Sequence, residues 1–443
     1  MRMAKGRFVR RFVGFLAVLG VIGLVIVYSL LTGWQLLPSV GNWFTKLGAQ
    51  FSSLSTPEPT WQTSVGDQPV AAAATDFAVV VTSRGGVEAH RLSSGDKLWY
   101  RDAAWVAVGG TGNDVVVVGR TGRKHGYDAV DPDTGAVRWS DGSAIGVWAY
   151  TNLIVDLTCP EATTCKLTGR SPESGSKRWT TTLTGNARPL GGANHRLAVA
   201  RPFDDDAGTR PPQAAPPLLG LPIDGQVEVV ATSSGRRLHT YQPTKTTRVV
   251  VAGDRVVVNS AVPRNGSCRF SVDGRDPDGD RRAWHLDGYD LKTSSGLACE
   301  QRTDPMGEGG LLDAVAPDGR HVLLDASTGS RAYQLANDET VVTTDGRTLL
   351  VRSAGGGKIR AVRVSGGSTL WTRDEGKSVG VALGPGVVLF TDPGANRLVV
   401  VATQGGTLID VESGATLLGY ADNGLVVHIG LRVGYLTYHG SAG

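Results

Sequence analysis

Three aspartates alternate at Asp276, Asp278 and Asp280. That spacing offers a carboxylate at every second residue, as a calcium loop does, but the Gly and terminal Glu of an EF-hand are missing. The run therefore reads as a solvated acidic loop, with calcium as the weaker alternative. Gly376-Lys377-Ser378 has the closing residues of a phosphate-binding loop, yet Trp371 stands where the first Gly is required. Gly109-Gly110-Thr111-Gly112 has no strand-helix-strand unit around it and reads as a turn between strands. The eight His are scattered, and neither H-E-x-x-H nor G-x-S-x-G occurs. Trp105 and Trp148 open apparent innermost strands, WVAVGG and VWAYTN. They could stack on a ring-shaped ligand; packing between sheets is the plainer reading. No catalytic or cofactor-binding residue is assigned, and the chain leans away from catalysis.

The elements that hold these residues are strands. The chain has 443 residues, 60 of them Gly, with Val abundant and Met and Phe scarce. Val favours pleated, half-buried surfaces and Gly favours tight turns, so an all-β fold with many short strands is expected.

The formal charge of +4 invites a nucleic-acid reading, which fails once the charges are located. Arg2, Lys5, Arg7, Arg10 and Arg11 lead the chain with no acid among them, and removing these 5 from 45 basic residues leaves 40 against 41 acidic. No basic face or nucleic-acid motif remains. Behind the cations, Phe12 to Thr45 carries no charge, and Val13 to Leu31 reads VGFLAVLGVIGLVIVYSLL. About 20 apolar residues cross a bilayer as a helix. The expectation is a basic cytoplasmic tail at 1–11, a transmembrane helix at 12–32, a juxtamembrane linker at 33–59 and an extracytoplasmic domain at 60–440. The preceding cations place the N-terminus in the cytoplasm. A cleaved signal peptide is the rival, but its apolar core is shorter and ends at a small-residue cleavage site.

The extracytoplasmic domain repeats. VEAHRLSSGDKLW, HGYDAVDPDTGAVRW and KLTGRSPESGSKRW each place a Gly four residues before a Trp: Gly95/Trp99, Gly135/Trp139 and Gly175/Trp179. Gly367/Trp371 restores the pair later. Weaker copies carry Gly235 with His239 in the Trp place, Gly296, and Gly405 with Ile409. Each follows a β-branched run such as TDFAVVV or GNDVVVV. The unit is a four-stranded antiparallel meander, with Gly in the last turn because it accepts positive φ freely. A Trp on the outer strand fills the wedge to the neighbouring sheet. One such sheet cannot cover its own apolar faces, whereas a closed ring of them can.

The motif D-x-x-T-G-x-x-x-W, best matched by Asp131 to Trp139, resembles the repeat of the quinoprotein dehydrogenase family and of bacterial propellers similar to the outer-membrane assembly lipoprotein. The resemblance implies a β-propeller of four-stranded blades, usually eight. Nine candidate second strands are countable, but the copy at 306–336 is short for four strands, so eight blades are expected, with seven or nine as alternatives. PTWQTSV at 59–65 reads as an orphan outer strand, Trp61 in the docking role, which closes the ring with the C-terminal strands. Two stretches, 202–226 and 264–285, read as insertions.

Four Cys permit two disulfides in an oxidising compartment. Pairing Cys159 with Cys165 and Cys268 with Cys299 keeps each bond inside one repeat; three pairings exist, and zinc is disfavoured by spacing. A working quinoprotein also needs a vicinal disulfide, stacking aromatics and a calcium ion beside a catalytic Asp. None of these transfers to a position here, so no cofactor is expected, with a pyrroloquinoline quinone (PQQ) and calcium pair as the remote alternative. The functional expectation is a membrane-anchored, non-catalytic scaffold for an envelope protein partner. The alternatives are a divergent quinoprotein oxidoreductase and a cell-wall glycan-binding module.

Overall fold

The computed structural model describes residues 59–437, apart from 122–125, 162, 186–196, 204–211, 280, 296–298, 377–378, 393, 413 and 422–423. Among the described residues the one helical element is a single turn at Thr111–Asn113, and no helix is long and apolar enough to cross a membrane. The expected basic tail and span, and the linker up to residue 58, lie outside the described residues.

The described strands make nine antiparallel blades, eight of them four-stranded, plus one two-stranded hairpin. Blade 1 begins with Pro69–Ala74, blade 2 with Trp105–Gly109 and blade 3 with Gly146–Ala149. Blade 4 holds Leu218–Ile223, Gln226–Ala231 and Arg237–Tyr241. Blades 5 to 9 begin with Thr247–Ala252, Gly307–Glu308, Glu339–Thr344, Gly380–Gly384 and Thr416–Ala421. The second strands lie between neighbouring sheets and are apolar on both faces: all five residues of Val115–Gly119 are buried. The outer strands have one face in solvent, so Lys177–Thr184 alternates.

The core is correspondingly divided. Nine apolar clusters each draw on two adjacent blades. One joins Val80 and Ala89 of blade 1 to Val116 and Val118 of blade 2. Another joins Leu398 and Val400 of blade 8 to Leu425 and Val427 of blade 9. The ninth joins blade 9 back to blade 1 through Val426, Val433, Val79 and Trp61. Closure is interleaved through strand pairing, since blade 9 runs Thr416–Ala421, Gly424–Ile429, Arg432–Thr437 and then Trp61–Ser64 from the other end of the domain. Trp61 pairs with Tyr435, which is the arrangement the orphan strand at 59–65 implied.

Three expectations are corrected. The ring has nine blades rather than eight, because the short copy at 306–336 is a blade. It manages with an innermost strand of two residues, Gly307–Glu308, followed by Leu311–Val315, His321–Asp325 and Arg331–Gln334. The stretch 264–285 is not an insertion. It supplies the end of Arg255–Arg264, all of Ser267–Arg275 and the start of Arg282–Asp287, which are blade 5. The supposed copy around Gly296 is a short hairpin, Ser294–Ser295 against Glu300–Gln301, and not a blade.

Candidate functional site at the channel mouth

The repeat residues form a girdle between blades. Each docking Trp covers the turn of the next blade, not the Gly of its own motif. Trp61 Nε1 donates to Leu92 O at 2.6 Å, Trp99 to Pro132 O at 2.9 Å, Trp139 to Pro172 O at 2.8 Å and Trp179 to Thr232 O at 2.9 Å. Correspondingly Gly95 lies under Trp61, Gly135 under Trp99 and Gly175 under Trp139. A Cβ at Gly135 would sit 2.6 Å from the indole. Trp371 donates to Thr403 O at 3.1 Å, and Gly367 has Tyr333 as its neighbour. At blade 4 His239 packs edge-on against Tyr241, whose hydroxyl donates to Gly279 O at 3.1 Å.

The acidic run belongs to this girdle. Asp276-Pro-Asp at the head of blade 5's last turn repeats Asp131-Pro-Asp, each eight residues ahead of a Trp, here Trp284. Trp284 donates to Ala326 O at 3.1 Å and covers Gly329. The Asp276 carboxylate faces Arg281 and, at 4.0 Å, Arg255; Asp280 lies outside the described residues. Among the described residues no group of three or more His, Cys, Asp or Glu is placed to hold a metal. At Asp131, burial pushes the carboxyl up. The Arg138 hydrogen bond and the Thr134 N–H and hydroxyl outweigh it and hold it at about 2.

Trp105 and Trp148 lie on innermost strands as expected, and both pack between blades. Trp148 is buried with Leu153, Leu219 and Ile223, and Trp105 borders Val117 and Tyr127. Where blades 2 and 3 meet, Tyr127 donates to Asp156 at 2.9 Å, and Arg170 bridges Asp156 and Asp141, the latter at 2.7 Å. Burial pushes the Tyr127 phenol and the Asp156 carboxyl up, while Arg170 draws Asp156 down. This cluster fastens two blades together. Both disulfides, Cys159–Cys165 and Cys268–Cys299, clasp hairpins on the rim opposite the girdle's turns.

The feature with functional reach is a strap at the mouth on the turn side. The innermost position of blade 4 is filled around Ala198, whose N–H donates to Gly220 O and whose carbonyl accepts from Val251 of blade 5, both at 2.7 Å. The chain then leaves the sheet. Arg201 donates to Pro305 O and accepts from Gly307 N, each at 2.7 Å, in a parallel bridge with blade 6. Phe203 packs where blades 6 and 7 meet. On the return, Gln213 O accepts from Thr151 N of blade 3, and Ala215 N donates to Asn152 Oδ1, both at 2.9 Å. Gln213 also lines a cavity of about 260 Å³ with Glu308, Thr343, Asp345 and Leu383 of blades 6, 7 and 8. Pro212, Pro216 and Pro217 suit this path, since proline has no N–H to satisfy away from a sheet. Of the stretch read as an insertion at 202–226, residues 204–211 lie outside the described residues, 212–217 make the contacts just given with blade 3, and Leu218–Ile223 is blade 4's own strand.

Charged residues on the described innermost strands are Arg248, Glu308 and Glu339. Arg248 pairs with Asp304 at 2.5 Å, Glu308 accepts from Thr343 at 3.3 Å and Glu339 pairs with Arg360. What the mouth offers is a set of rigidly held turns, suited to contact with another surface. That a Trp fills the wedge to a neighbouring sheet was expected from the sequence; Trp284 in that role, the strap, and the turn of the following blade as the part each Trp covers went unseen. The repeated Asp-Pro-Asp at 131 and 276 was the available signal for Trp284.

Residues 268–421, about a third of the chain, match a PQQ-repeat family model described as the outer membrane protein assembly factor BamB. The match runs from the third strand of blade 5 to the innermost strand of blade 9, so that part of the propeller is similar to the PQQ-repeat family. No curated protein matches it significantly. Similar solved structures include BamB from Moraxella catarrhalis, at 17% identity over 85% of this chain and 98% of that one, with a TM-score of 0.41. A quinohemoprotein alcohol dehydrogenase from Pseudomonas putida HK5 shows 11% identity over 86% and 74%, with a TM-score of 0.39. A eukaryotic initiation factor shows 11% over 80% and 89%, with a TM-score of 0.44.

Proposed function

We propose that this chain is a non-catalytic scaffold that binds or assembles protein partners in a bacterial envelope. An N-terminal helix at 12–32 would hold it to the cell membrane, with the propeller on the extracytoplasmic side. The observation that carries the reading is the match of blades 5 to 9 to the assembly-factor model. The mouth supports it: charged groups on the described innermost strands are already paired, and the strap spends its polar backbone on holding turns in place. Rigid scaffolds that present loops are the usual carriers of binding. Two disulfides support an oxidising compartment. The five leading cations ahead of an uncharged apolar run support the orientation.

The test is a crosslinking pull-down of the full chain from intact membranes, read by mass spectrometry. A reproducible envelope protein partner is the expected result. A purified chain that carries bound quinone and oxidises alcohols or sugars with a dye acceptor would overturn it.

A further inference from the structure

At the boundary of blades 1 and 2 the girdle contains an ion pair. Arg91 heads the last turn of blade 1 and lies 3.2 Å from Asp133 in the last turn of blade 2. The same positions recur where blades 7 and 8 meet. Arg363 heads its turn as Arg91 does: Arg91 N donates to the carbonyl of Asp96, five residues on, and Arg363 N to that of Ser368. The next residue pairs likewise with the inner turn, Leu92 N to Phe77 O and Val364 N to Arg347 O, each at 2.8 Å. In blade 8, Gln404 follows Thr403, the Trp371 acceptor, as Asp133 follows Pro132, the Trp99 acceptor. An amide therefore stands where the first boundary has a carboxylate. Arg347 adds a second guanidinium, in the place of Phe77.

Among the described residues, neither the Arg347 nor the Arg363 guanidinium has an ion pair or hydrogen bond, in a molecule where most arginines are paired. Both line one cavity of about 440 Å³, together with Ser365, Leu370, Thr403 and Gln404. Asp345 also lines it, but its Oδ1 already accepts from the backbone of Arg347 at 2.8 Å and Thr348 at 2.6 Å. The β-ladder fixes the two arginines side by side, since Thr348 pairs with Arg363.

We infer that the cavity between blades 7 and 8 is a docking site for an acidic peptide segment of a protein partner. An external carboxylate takes the place that Asp133 fills from within at blades 1 and 2. The ring itself shows which anion the position accepts, and guanidinium groups match carboxylates with paired donors. This deepens the scaffold reading and rests on it.

The test titrates the full chain, purified in detergent, with an N-acetylated, C-amidated Asp-Glu-Asp-Glu peptide, its Asn-Gln-Asn-Gln counterpart, and inorganic phosphate. Saturable binding of the acidic peptide alone is expected. Arg347→Gln and Arg363→Gln should each weaken it about tenfold, in line with the loss of a charge-assisted contact. Gln404→Asp should weaken it comparably while leaving both arginines in place, because it supplies the missing carboxylate from inside. Equal binding of acidic and amide peptides, preference for phosphate, or wild-type affinity in Gln404→Asp overturns the inference. So does a crosslinked partner recovered equally by wild type and Arg363→Gln, a result that leaves the scaffold reading standing.

Discussion

The pairing of each Trp with the turn of the following blade can be separated from the sequence motif by a double-mutant cycle. Gly95 has φ +77°, and an added Cβ would lie 2.6 Å from Cε3 and 2.7 Å from Cδ2 of Trp61. In Gly95→Ala the left-handed backbone costs about 1–2 kcal/mol. Forcing the indole outward costs about 1–3 kcal/mol more. Trp61, 6% exposed, should cost about 3–5 kcal/mol when truncated to Ala. In the Trp61→Ala background the collision is gone, so Gly95→Ala should cost only the backbone share. The cycle therefore closes with a coupling of about 1–3 kcal/mol, the double variant being more stable than the sum predicts. The control pairs Gly95→Ala with Trp99→Ala. These residues share a motif four positions apart, but Trp99 covers Gly135, so additivity within about 0.5 kcal/mol is expected. Urea denaturation of the full chain followed by far-UV circular dichroism measures all five variants. Coupling of Gly95 to Trp99 in place of Trp61 would refute the inter-blade girdle.

The two disulfides close loops of different length, with sequence separations of 31 and 6. The chain-entropy relation gives about 3.7 kcal/mol for Cys268–Cys299 and about 2.3 kcal/mol for Cys159–Cys165. Double Cys→Ser variants compared by urea titration should rank in that order, and the reverse ranking would show that local strain or residual unfolded structure dominates. The Asp131 carboxyl, held at about 2 by Arg138 and the Thr134 groups against its burial, contributes stability that is fully present above the unfolded aspartate value near 3.8. That contribution is lost as pH falls through about 2. Asp131→Asn should therefore be less stable than wild type at neutral pH, and the gap should close between about pH 4 and pH 2. A gap that is constant with pH would mean the Asp131 charge is not what holds the turn.

The parts of the fold that could be read from the chain were those written in local chemistry. A β-branched run such as Val115–Val118 can only be a strand covered on both faces. A Gly four residues before a Trp marks a turn whose backbone and neighbour both demand small size. Trp61 ahead of the first repeat, with no sheet of its own, was enough to foresee the interleaved closure. The blade number was not legible in the same way. Blade 6 keeps only Gly307–Glu308 as its innermost strand, so its copy looked too short, while in blade 5 the end of Arg255–Arg264, all of Ser267–Arg275 and the start of Arg282–Asp287 looked like an insertion. Both errors come from measuring a repeat by length when its physical requirement is burial of two faces. The candidate sites failed for another reason. The strap and the blade 7–8 cavity exist through contacts between residues distant in the chain, as in Thr151 with Gln213, and no local pattern records them.

The short blade and the strap are physically one problem. Gly307 and Glu308 leave the innermost edge of blade 6 with little to pair with, and unpaired backbone groups facing a channel are a liability. Arg201 meets that edge, exchanging hydrogen bonds with Pro305 and Gly307. Gly307 must be small, since a Cβ there would lie 2.3 Å from Leu311 O and 3.1 Å from the Ala200 Cβ. Blade 4 reaches its neighbours by the same device, through Ala198 between Gly220 and Val251. One segment, Ala198 to Arg201, thus completes the innermost layer of two blades. An insertion that only decorated the surface would leave blade 6 open, and removing this one should expose that edge. Gly307→Val tests the dependence directly: it should speed amide exchange at 198–203 and in Leu311–Val315 together while leaving blades 1 and 2 protected. Exchange that rises in the strap alone would show that blade 6 stands without it.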